Sequence, residues 1–107
     1  MVGKGKLYVV VNGDLKMSIG KTAAQVAHAV SRLKVKEPHT VIVLRGNTEQ
    51  LHNLKMYIES LNINHHLYID EGVNEILPMS VTVLAFGLFE NDVLSYWGVD
   101  DGKRNNG

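Results

Sequence analysis

The chain has no cysteine, which excludes disulfides, thiolate metal centres and a cysteine nucleophile. It has no apolar run approaching the roughly eighteen residues that cross a bilayer. The opening MVGKGKLYVVVNGD lacks the long apolar stretch and small-residue cleavage site of a secretory leader. These features read as a protein of the cytoplasm with no membrane partner. Net charge is also lacking: 11 basic residues balance 11 acidic ones, unlike a strongly basic nucleic-acid binder. Internal repeats and low-complexity tracts are absent.

What is present is enough chain, 107 residues, for one hydrophobic core. The balanced charge is unevenly spread. Residues 1–36 hold seven basic side chains (Lys4, Lys6, Lys16, Lys21, Arg32, Lys34, Lys36) against the single acid Asp14, a local charge of +6 that the remainder cancels. This is either a lopsided solvated surface or a cationic face for a polyanion.

The patterning alternates strand and helix. Leu7 to Asn12 is a β-branched run between Gly5 and Gly13, the signature of a buried strand. Helical spacing then runs from Ile19 to about Leu33, with Ala23, Val26, Ala27, Val30 and Leu33 expected inside, and Pro38 ends it. Thr40 to Leu44 is a second strand. Asn47 and Gln50 open another helix as a capping box, with Leu51, Leu54, Ile58 and Leu61 as its inner stripe. Leu67 to Asp70 and Val81 to Phe86 are two further strands, joined by the loop EGVNEILP. Asn91 to Trp97 is at most a short helix, residues 1–97 form the domain, and residues 98–107 are expected to be a flexible tail. The fold class is therefore α/β: a single domain with a four-stranded mixed β-sheet flanked by α-helices. Most strands should run parallel, and the short third connection should make the last pair antiparallel.

Gly20-Lys21-Thr22 follows the first strand and invites comparison with a phosphate-binding P-loop. That motif needs glycine at the position occupied by Leu15, and Gly13 lies two residues too early. In the same stretch, Lys21, Gln25 and His28 fall at i, i+4 and i+7 and share one helix face. On spacing alone this face is either the wet side of an amphipathic helix or part of a site. His65 and His66, adjacent in an extended segment, point to opposite faces and cannot chelate one metal. No metal site and no cofactor are expected.

The segment DLKMSIGKTAAQVAHAV resembles the signature of the type II peptidyl-tRNA hydrolase family, D-[LI]-K-M-x-x-G-K-x-A-A-Q-x-A-H-A. A second block, DEGVNEILPMSVTVLA, is similar to the family's D-A-G-R-T-Q-[IV]-x-P-G-[ST]-x-T-V-L-[AG]. Val73, Asn74 and Glu75 replace its arginine, threonine and glutamine, and Ile19 replaces a usual lysine. The connection from the first helix to the second strand is shorter than in many relatives. The resemblance implies hydrolysis of the ester between a peptide and the 3′ ribose of tRNA. It implies Lys21, Asp70 and Thr82 as catalytic groups, and Gln25, His28 and Asn74 as substrate-binding ones; Lys16 and Arg32, in the cationic N-terminal third, would add phosphate contacts. Peptidyl-tRNA is the implied partner, and a homodimer is left open. A weak or inactive member of the fold, binding RNA or protein without turnover, is the alternative.

Overall fold

The computed structural model describes residues 5–37, 39–70 and 80–89. The elements are β1 (Lys6–Asn12), α1 (Ile19–Ser31), β2 (Thr40–Gly46), α2 (Thr48–Ser60), β3 (His65–Asp70) and β4 (Ser80–Phe89). The sheet order is β2-β1-β4-β3. β1, β2 and β3 run in one direction. Because β4 returns against them and inserts between β1 and β3, only β1–β2 is a parallel pair. The chain moves outward from β1 to β2 and then back across the sheet to β3. Right-handed crossovers in opposite directions put their helices on opposite faces, and α1 and α2 do pack on opposite faces. The expected four-stranded α/β domain is thus observed, while Pro38, the loop, the segment 91–97 and the tail 98–107 lie outside the described residues.

The central strands β1 and β4 read as continuous apolar runs because both of their faces are covered. On the α2 face, Tyr8, Val10, Leu84 and Phe86 meet Leu51, Leu54 and Ile58. Each of these three helix side chains is fully buried, which stabilises the fold by about 1.5–3 kcal/mol apiece. Tyr8 stacks on Phe86 with ring centroids 5.2 Å apart. α2 begins with the expected capping box of Asn47 and Gln50. It ends in a Schellman motif, in which Asn62 at φ 57 donates to Glu59 O and Ile63 to Ile58 O. This ending corrects the predicted stripe. Leu61 is the C-cap, where the backbone has left the helix (φ −90, ψ 0), and is 43% exposed, and Ile63 takes over the contact with the core.

The α1 face needs a larger correction. Ala23 and Ala27, expected inside, are exposed, whereas Gln25, Ala29 and Leu33 are buried. Val26 and Val30 pack at the edge of this cluster. The helix is rotated so that Gln25 faces the sheet. α1 does not reach across the edge strand β2, where Val41 and Val43 remain about half exposed.

Candidate active site

Ser18 caps α1 by accepting from Lys21 N–H at 3.0 Å, which fixes Lys21 in the helix's first turn. A cation there opposes the helix dipole, and the first turn holds no acid to offset it. The compensation comes from another element: Lys21 Nζ lies 2.9 Å from Oδ1 of Asp70, at the carboxyl end of β3. The two side chains are only 11% and 9% exposed, so this pair is far less screened than a surface ion pair.

Gln25, one turn after Lys21, donates through Nε2 to the same Asp70 oxygen at 3.0 Å. Its Oε1 accepts from the Thr82 hydroxyl at 3.2 Å, and that hydroxyl also lies 3.2 Å from Tyr68 O. Thr82 reaches this position through a β-bulge. Tyr68 pairs with Val83 and Ile69 with Val81, leaving Thr82 as the extra residue. The bulge turns the Thr82 side chain to the α1 face, as bulges beside functional sites often do. Lys21, Gln25, Asp70 and Thr82 therefore form one hydrogen-bonded chain from helix to sheet. The reading of Lys21, Gln25 and His28 as a wet helix face does not hold for the first two. Their polar atoms point inward at Asp70.

His28 is exposed, but its ring lies over Tyr68 with centroids 5.3 Å apart and planes 10° from parallel. Lys16 is exposed in the connection between β1 and α1, and Arg32 is the exposed C-cap of α1. Neither joins the buried group. Asn74 lies outside the described residues. Arg32 does act on His66: burial first, then the Arg32 and His65 charges, hold the His66 imidazole below the ordinary value of 6.5. Among the described residues, no cluster of three or more histidines and acids is arranged for a metal ion.

Residue-by-residue reading missed Asn12. It is buried at the carboxyl end of β1 and donates through Nδ2 to Thr48 Oγ1 and Val81 O, both at 2.8 Å, while Oδ1 accepts from Asp14 N–H. Asp14 Oδ2 in turn accepts from Thr48 N–H at 2.9 Å, an acid at the start of α2. This web ties β1 and α2 to the residue preceding Thr82. The one available signal was a polar residue closing an apolar run, two positions before an aspartate.

An ammonium, a carboxylate, an amide and a hydroxyl, all largely shielded from solvent, thus meet at the strand ends of an α/β sheet, where ligand sites of such sheets generally form. Residues 5–97 match the peptidyl-tRNA hydrolase PTH2 family, and the chain belongs to that family. It is 36% identical to the peptidyl-tRNA hydrolase of Thermococcus onnurineus (strain NA1), over 77% of this chain and 82% of the relative. It is 34% identical to that of Methanopyrus kandleri, over 77% and 83%. The human protein named peptidyl-tRNA hydrolase 2, mitochondrial, is 32% identical over 79% of this chain and 56% of its own length. The resemblance drawn from the two sequence blocks is therefore borne out.

Proposed function

We propose that the chain is a peptidyl-tRNA hydrolase, cleaving the ester that joins a peptide or N-blocked aminoacyl group to the tRNA 3′ ribose. The observation that carries this reading is the Lys21–Asp70 pair, buried at the strand ends and bridged through Gln25 to Thr82. An ester is already activated, so its hydrolysis needs an oriented water, a proton acceptor and donors for the developing oxyanion. In this reading Lys21, in the first turn of α1, adds a full charge to the helix's own positive end and stabilises the oxyanion or the terminal phosphate. Asp70 holds that ammonium in place and orients the attacking water or takes its proton. Thr82 and Gln25 fix the protonation geometry, since the hydroxyl both donates and accepts. Asn74 contributes to binding, and Lys16 and Arg32 add phosphate contacts along the cationic N-terminal third. The site of action is the cytoplasm. The half-exposed Val41 and Val43 on edge strand β2 support a homodimer, which sedimentation analysis tests.

The decisive experiment measures release of N-acetylated amino acid from tRNA by the purified protein across a salt series, with ATP hydrolysis as control. Release that weakens steeply with salt supports the proposal. Binding without release makes the chain an inactive member of its fold, and magnesium-dependent ATPase activity overturns the reading.

A further inference from the structure

Beside the buried group, α1 and β3 carry an aromatic surface that takes no part in the ester chemistry itself. His28 and Tyr68 lie nearly parallel at 5.3 Å between centroids, and His66 follows Tyr68 at 6.1 Å and 54°. At that centroid spacing the first two rings overlap only partly, leaving ring face uncovered. His28 is exposed, and Tyr68 and His66 are half-buried. Tyr68 packs against the core cluster beneath, which holds this surface in place.

We propose that His28 and Tyr68 form a stacking platform for the unpaired 3′-terminal base of the tRNA. The proposal rests on the hydrolase reading and names where that substrate's last nucleotide lies. Three observations place it. His28 is seven residues beyond Lys21 on the same helix, about 10 Å along its axis, which is the order of distance separating a base from the ester on its own ribose. Tyr68 is joined to the reacting end directly, because its backbone carbonyl faces the Thr82 hydroxyl at 3.2 Å. Ring and reaction centre are thus held by one residue of one strand. Arg32, exposed at the end of α1, supplies the positive charge that a neighbouring phosphate requires. Aromatic faces bind single-stranded bases without reading their identity, which suits an enzyme acting on an end common to all tRNAs.

The test compares wild type, Tyr68→Leu, Tyr68→Phe and His28→Ala on a minihelix ending in N-acetylated aminoacyl-adenosine, and on the same minihelix with an abasic terminal ribose. Removing one stack should raise KM about tenfold in Tyr68→Leu and in His28→Ala. The kcat should stay within about twofold, and Tyr68→Phe should resemble wild type. The abasic substrate should raise the wild-type KM equally and make Tyr68→Leu no worse, since base and ring are then the two halves of one interaction. His28→Ala alters only an exposed side chain, so its result stands even if Tyr68→Leu folds poorly. A wild-type enzyme that hydrolyses both substrates with equal KM, or variants whose loss adds to that of the abasic end, overturns the platform and leaves the hydrolase reading intact. If wild type hydrolyses neither, the hydrolase reading falls. The platform is then judged by fluorescence of a non-acylated minihelix ending in 2-aminopurine. Quenching by wild type that Tyr68→Leu abolishes upholds it, and no quenching rejects it.

Discussion

Replacing Lys21 by alanine tests whether this first-turn lysine is solvated or buried against Asp70. A lysine in a first helical turn is ordinarily solvated, and its loss would change stability by no more than about 0.5 kcal/mol. Here its ammonium sits 2.9 Å from a carboxylate that is itself 9% exposed. Removing one partner of a buried pair typically costs about 3–5 kcal/mol. Two gains offset it: relief of a cation at a helix N-terminus, about 0.5 kcal/mol, and the better helix propensity of alanine, a few tenths. The expected destabilisation is therefore about 2 kcal/mol or more at pH 7. The assay is urea denaturation of wild type, Lys21→Ala and Lys21→Ala/Asp70→Asn at pH 7, alongside single-turnover hydrolysis. The double variant should regain most of the stability and none of the activity, which should drop about a hundredfold in both. Lys21→Ala matching wild-type stability within about 0.5 kcal/mol at pH 7 would show that the pair is not buried.

Thr82→Val keeps the shape but leaves Gln25 Oε1 short of the hydroxyl donor at 3.2 Å, so stability should fall about 1–2 kcal/mol and turnover at least tenfold. Thr82→Ser should retain both, as denaturation and single-turnover rates will report. A Cβ added at Gly20 meets nothing within 4 Å. Gly20→Ala should therefore fold at least as stably as wild type, by up to about 1 kcal/mol, while raising KM if tRNA passes over that face; equal KM would place the substrate elsewhere. The His66 imidazole should titrate below 6.5 by NMR, and Arg32→Gln should move it upward only part of the way, burial being the larger cause. Because the unfolded imidazole takes the proton more readily, His66 should cost the fold stability as pH drops below 6.5.

Local grammar decided much of this protein from its sequence. The β-branched runs, the Asn47–Gln50 capping box and the helical spacing from Ile19 fixed the order and kind of the elements, because each depends on neighbours within a turn or two. The two signature blocks named Lys21, Asp70 and Thr82 as a set. The tertiary structure decided which face of α1 meets the sheet. Period 3.6 says that Lys21, Gln25 and His28 lie together, but in a helix with alanine on several sides it cannot say whether that side is wet. The answer came from Asp70, forty-nine residues away from Lys21, whose buried charge draws both the ammonium and the Gln25 amide inward. The direction of Thr82 was equally beyond reach of the sequence, since a strand read by strict alternation has no place for the bulge opposite Tyr68 and Ile69. Asn12 looked like the end of a strand and became a tie among β1, α2 and β4 only once β4 had inserted beside β1. Contacts between residues distant in the chain depend on how strands are ordered and helices rotated, and those are settled by the packing of the whole core.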